Sequence, residues 1–158
     1  MPGEKGEEVA KLILSMIPFI IVLIILTLDQ TSKILLSRSL YLDQTLPLIK
    51  GVFDITLVHN RGAAFGIFKG QVYLFIIASS IAVFLIYSSL KSKNHSIYYV
   101  ASLSFILAGA LGNLIDRVRL GYVIDFFNFH FWPVFNIADS AITIGSIILA
   151  CLIFKGKD

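Results

Sequence analysis

Four long apolar runs constrain this chain more than any other feature. They are LILSMIPFIIVLIILTL at 12–28, QVYLFIIASSIAVFLIYSSL at 71–90, SIYYVASLSFILAGALGNLI at 96–115, and residues 137–154. None contains Lys, Arg or Glu, and the only Asp is Asp139, at the start of the last. Each approaches the ~20 residues that cross a bilayer core as a helix. The chain is 57% hydrophobic and 15% charged, against about 45–50% and about 25% in a soluble domain. It therefore reads as one integral membrane domain over residues 1–158. The tail before the first run is rich in Glu, and no small-x-small site follows it. That favours a spanning helix over a cleaved targeting segment. Pro18 is tolerated inside such a helix.

The connections carry the remaining signals. Residues 34–50 include ILLSRSLYL, whose mixed pattern predicts an amphipathic segment lying in the membrane interface. Leu46–Ile49 and Val52–Asn60 flank a Lys50-Gly51 turn, and the second alternates apolar and polar residues, which predicts a small hairpin. In Asn60-Arg61-Gly62-Ala63-Ala64-Phe65-Gly66, Gly62 and Gly66 permit close backbone approach. Residues 121–135 read as a loop. Cys151 lies in an apolar run and is expected to be a buried, inert thiol. The basic residues are dispersed and the net charge is only +3, which argues against nucleic acid as a partner. They divide almost evenly between the two faces, so charge does not fix orientation.

Asp125 and Asp139 stand in a stretch dominated by Phe, Val, Ile and Trp. Carboxylates at the edge of an apolar span are costly and mark functional-site candidates. Two that converge would drive their pKa values apart. Asp139 also has a structural reading. Asn136-Ile137-Ala138-Asp139 has the spacing of a capping box, with Asn136 as the cap. A helix N-terminus favours a charged carboxylate, so Asp139 is the candidate for an ionised base. Asp125, among aromatic residues, is the candidate for a protonated acid. Asn113 and Asp116 share a helix face, and Asp116–Arg117 fits a structural ion pair as well as a catalytic role. Asp29 and Lys33, four residues apart, suit a simple helix pair. Phe126, Phe127, Phe129, Phe131 and Trp132 suit an interfacial belt. His59 and His130 lack metal-ligand spacing.

In order along the chain, Asp29-Gln30-Thr31-Ser32-Lys33, Asn60–Gly66, Gly109–Arg117, Val123–Phe126 and Phe135–Ser140 resemble the motifs of bacterial lipoprotein signal peptidase, or signal peptidase II, a membrane aspartyl protease family. The resemblance covers nearly the whole chain after residue 12. It implies an all-α integral membrane protein of four transmembrane helices, with a small extracytoplasmic β-sheet cradle and an interfacial amphipathic helix within about 34–66. It implies an Asp125/Asp139 catalytic dyad. Asn60, Asn113, Arg117 and Asn136 would bind substrate, with Asp29, Lys33, Gly62, Gly66 and Asp116 in structural support. The implied substrates are diacylglyceryl-modified prolipoproteins, cut just before the lipidated cysteine. Globomycin-type cyclic peptides would inhibit. No metal, organic cofactor or protein subunit is called for. The implied location is the bacterial cytoplasmic (inner) membrane, with both termini cytoplasmic and the site near the outer leaflet.

Three rivals remain at this point. A small proton-coupled carrier would use the same carboxylates, but it predicts an inverted repeat and mid-span charges, and no repeat is visible. A metal-dependent hydrolase on Asp125, Asp139 and His130 would be sensitive to chelator. A non-catalytic scaffold leaves the clustered acids without a use.

Overall fold

The computed structural model describes residues 2–62, 70–91 and 96–156, with side chains from residue 15 onward. In chain order it contains α1 (Pro2–Ser39), β1 (Thr45–Ile49), β2 (Phe53–Asn60), α2 (Val72–Leu90), α3 (Ile97–Leu120), β3 (Val123–Asn128) and α4 (Ile137–Phe154). Four helical segments are long and apolar enough to cross a membrane: Ser15–Ser39, Val72–Leu90, Ile97–Leu120 and Ile137–Phe154. Their outer faces are apolar and exposed, as at Phe19, Phe84 and Ile147. That is the surface expected where lipid, not water, is the solvent.

α3 is the central helix, packing on α1, α2 and α4. Small residues let α4 approach it closely. A Cβ on Gly109 would run into the Ala138 carbonyl oxygen and lie 2.7 Å from Ile142 Cγ1. A Cβ on Gly112 would lie 2.6 Å from Asp29 Oδ2. Such close contact is how membrane helices gain packing energy where no hydrophobic drive exists. Ile25, Ala108 and Ala141 are the buried centre of the three-helix contact. Ser102 and Ser104, both buried, donate to the backbone oxygens of Tyr99 and Val100, so neither leaves an unpaired hydroxyl in the bundle.

Helix ends follow local chemistry. Ser96 caps α3 by accepting from the Tyr99 amide, and Gly121 closes its C-terminus at φ +77°, a conformation glycine adopts without strain. α1 and α3 both run past the C-terminal ends expected from sequence, and α1 also starts earlier, at Pro2. α1 runs unbroken to Ser39, so residues 34–39 are its last turns and not a separate interfacial amphipathic helix. α3 likewise continues through Asp116-Arg117 to Leu120. In both places the polar residues read as helix ends are neutralised by partners on other elements, so the helix need not stop.

The three strands form one antiparallel sheet in the order β1-β2-β3. The hairpin expected at 46–60 is present. Residues 123–128, expected as loop, form its third strand. Their first four positions are all buried, so the period-two signal of a half-exposed strand is absent. Leu40, Leu57 and Ile124 anchor the sheet to the end of α1. Cys151 is exposed on α4, not buried as expected. It faces outward because the bundle-facing side of α4 is taken by Ala138, Ala141 and Gly145.

Candidate active site

Asp125 sits on β3 and Asp139 in the first turn of α4. Two asparagines link them. Asn136 donates through Nδ2 to Asp125 Oδ1 at 2.6 Å and to Asn113 Oδ1 at 3.1 Å. Asn113 donates through Nδ2 to Asp139 Oδ1 at 2.7 Å. The second oxygen of Asp125 accepts from Asn60 Nδ2 at 2.9 Å. Register explains this last contact. Val58 pairs with Asp125 and Asn60 with Val123, so Asn60 and Asp125 are diagonal neighbours on one face. Asn60 Oδ1 accepts from the Gly62 backbone amide at 2.9 Å, which fixes the direction of the side-chain amide.

The expected capping box at α4 is formed. Asn136 Oδ1 accepts from the Asp139 amide at 2.9 Å, and Asp139 Oδ2 accepts from the Asn136 amide at 3.3 Å. Capping and placement in the site are therefore the same geometry. The backbone bonds hold the Asp139 carboxylate, and its Oδ1 meets Asn113.

Beneath this layer lies a buried ion triad. Lys33 Nζ is 2.8 Å from Asp29 Oδ2 and 2.9 Å from Asp116 Oδ2, and it donates to Asn113 Oδ1 at 3.2 Å. All three charged residues are buried. Asp29 also accepts from the Ala138 amide at 2.9 Å, and Asp116 from the Ile124 amide at 3.2 Å. Gln30 donates to both carboxylates at 3.1 Å. Four elements, α1, α3, β3 and α4, thus meet at one lysine. The Asp29–Lys33 pair is present as expected. Asp116, however, pairs with Lys33 rather than with Arg117. Arg117 instead lies over the Phe75 ring, 5.1 Å from its centroid.

Burial, and next the negative charge of Asp139, push the Asp125 carboxyl up to about 7, against the opposing hydrogen bonds from Asn60 and Asn136. A carboxyl in that range is half protonated near neutral pH.

A cavity of about 240 Å³ opens over the two aspartates. Asn60, Gly62, Asn113 and Arg117 line it together with Trp132, Pro133, Val134 and Phe135. Among the expected site residues, Asn136 is fully buried behind the aspartates, and Gly66 lies outside the described residues. The 132–135 wall and Gln30 were not singled out as site residues. The aromatic run, which also fits an interfacial belt, and Phe135 at the start of the last motif held the sequence signals for the wall. In the structure it divides: Phe126 is buried, while Phe131 and Trp132 are exposed. Neither histidine reaches the aspartates. His59 stacks on Tyr122, and His130 pairs with Asp54 at 3.0 Å. No group of side chains suited to hold a metal occurs among the described residues.

The chain is similar to known proteins over most of its length. Residues 21–155 match the family model described as signal peptidase (SPase) II. The chain is 49% identical over 140 residues to the lipoprotein signal peptidase of Caldanaerobacter subterraneus subsp. tengcongensis, covering 87% of this chain and 96% of that one. It is 44% identical over 138 residues to the lipoprotein signal peptidase of Halothermothrix orenii, covering 87% and 94%. A bacterial membrane enzyme solved by the in meso method at 2.3 Å superposes with a TM-score of 0.82 at 32% identity, over 87% of each chain.

Proposed function

We propose, for a chain that belongs to the signal peptidase II family, an aspartic mechanism on the Asp125/Asp139 pair. As a member of that family it is a multi-pass membrane peptidase that removes signal peptides from lipoproteins. The finer reading is that it cuts prolipoproteins already carrying diacylglyceryl, just before the lipidated cysteine. It does so in the bacterial cytoplasmic membrane, with the site near the outer leaflet and both termini cytoplasmic.

The observation that carries the mechanism is the unequal environment of the two carboxyls. Asp125 is raised to about 7, so a large share of it is protonated near neutral pH and can donate to the scissile carbonyl. Asp139, at a helix N-terminus and bonded to Asn113, serves as the ionised base that takes a proton from water. Water attacks the carbonyl carbon, Asp139 takes its proton, and Asp125 donates to the carbonyl oxygen. As the tetrahedral gem-diol collapses, Asp139 gives its proton to the departing amine and Asp125 takes back a proton from one hydroxyl as the C=O bond re-forms, which restores both carboxyls to their starting states. Asn60, Asn113 and Asn136 hold the carboxyls in place. Asn60, Asn113 and Arg117 also line the cavity, which supports a role in positioning the peptide backbone. The strands and the segment before Gly62 form the cradle for the extended substrate, whose lipid supplies affinity by apolar burial.

The test is cleavage of a lipobox peptide by purified protein, with and without diacylglyceryl on its cysteine, followed by mass. Scission before the lipidated cysteine alone is expected. Equal cleavage of the unmodified peptide, or scission elsewhere, would overturn the assignment of substrate.

A further inference from the structure

A second cavity, larger than the one over the aspartates, opens beside the ion triad. Its volume is about 520 Å³, and Lys33 and Asp116 form part of its wall. Leu40, Leu57 and Ile124 line it, the same three side chains that anchor the sheet to α1. Two arginines face it: Arg38 in the last turn of α1 and Arg119 in the last turn of α3. Neither has an ion-pair partner among the described residues. The one carboxylate lining the cavity, Asp116, is already bonded to Lys33.

Each arginine complements its own helix dipole. That leaves most of the five donors of each guanidinium unused. Two uncommitted cations converge above an apolar floor, at the ends of two membrane-crossing helices. The outer face of α1 that leads away from the cavity is apolar and exposed, at Ile34 and Leu35. An anion that suits this place carries hydrocarbon with it. We propose that this cavity binds one anionic glycerophospholipid, its phosphodiester held by Arg38 and Arg119 and its acyl chains lying along the outer faces of α1 and α3. Basic pockets between membrane helices favour such headgroups, because charge and apolar burial act together. The diacylglyceryl group of a prolipoprotein carries no phosphate and so offers the two arginines no charge to pair with. The site is therefore separate from substrate recognition, and it does not depend on which residues cut the peptide.

The experiment is native mass spectrometry of the full-length protein, equilibrated in detergent with equal amounts of phosphatidylglycerol and phosphatidylcholine of matched chains. Wild type is expected to retain one phosphatidylglycerol in preference, and less so when the equilibration is done at high salt. The Arg38→Gln/Arg119→Gln variant is expected to lose about 30-fold in that preference, roughly fivefold per arginine. Arg38→Lys/Arg119→Lys, which keeps both charges, should keep most of it. Lys50→Gln, on the exposed β1–β2 turn outside the cavity, should leave it unchanged. No preference in wild type, a preference indifferent to salt, or full retention in the glutamine variant would overturn the proposal. Displacement of the lipid by soluble sn-glycerol 3-phosphate at equal concentration would also overturn it, by making the site one for free phosphate.

Discussion

Lys33 Nζ and Asn113 Oδ1 are 3.2 Å apart, and this contact orients the amide that serves Asp139. With its oxygen held by Lys33 and by Asn136, Asn113 has only its Nδ2 to offer, and that nitrogen lies 2.7 Å from Asp139 Oδ1. Asn113→Leu removes a hydrogen bond to a charged group, worth about 1.5–3 kcal/mol. The expected result is a fall in kcat of roughly 10- to 100-fold with the fold intact. Circular dichroism and kcat on the same preparation check it. A variant of unchanged kcat would contradict the role.

Lys33→Met should act differently. It leaves Asp29 and Asp116 buried without their shared cation, and breaking one partner of a buried ion cluster costs about 3–5 kcal/mol. The variant is expected to unfold in detergent well below wild type as well as to lose activity. A melting temperature equal to wild type would show that the triad does not hold α1, α3, β3 and α4 together.

The pH dependence has a definite sign. Asp125 is raised to about 7, so it is protonated below that value and ionised above it. A reaction that needs it as the acid is at full rate on the acidic side and declines as pH rises through about 7. Any apparent values belong to the coupled pair. The Asn60 hydrogen bond favours the ionised form of Asp125. Asn60→Ala should therefore move the alkaline limb of kcat/KM to higher pH. A limb that stays in place, or moves down, would count against Asp125 as the acid.

Gly109 and Gly112 set the approach of α3 to α4 and α1. At both positions the nearest obstacles are fixed groups: the Ala138 backbone at Gly109, the salt-bridged Asp29 carboxylate at Gly112. Gly109→Ala should destabilise by about 1–3 kcal/mol through overpacking. Thermal unfolding in detergent reads it directly, and an unshifted transition would mean that the helices can part without cost.

The sequence made the spans, the hairpin and the α4 cap visible because each rests on local signal. Apolar length gives the spans, alternation gives β2, and N-x-x-D spacing gives the α4 cap. What it hid depends on partners far along the chain. Asp29 and Lys33 look like a helix end until Asp116 and the Ala138 amide are brought to them from 80 or more residues away, after which α1 simply continues. β3 looks like a loop because it is covered over its first four positions and lacks alternation. Asp116 looks like a partner for its neighbour Arg117, yet its partner is Lys33, across the α1–α3 contact. The 132–135 wall of the cavity has no pattern of its own, and only the fold brings it over the aspartates.

The central claim is that Asp125 and Asp139 divide one reaction between them. The most direct measurement is the rate of lipobox-peptide cleavage by wild type, Asp125→Asn and Asp139→Asn, each shown to be folded and assayed with chelator present. Asparagine keeps the shape and removes the proton chemistry. Each substitution is predicted to lower kcat by about 10²–10⁴-fold, with the double variant little worse than either single one. Near-normal cleavage by either single variant would contradict the claim.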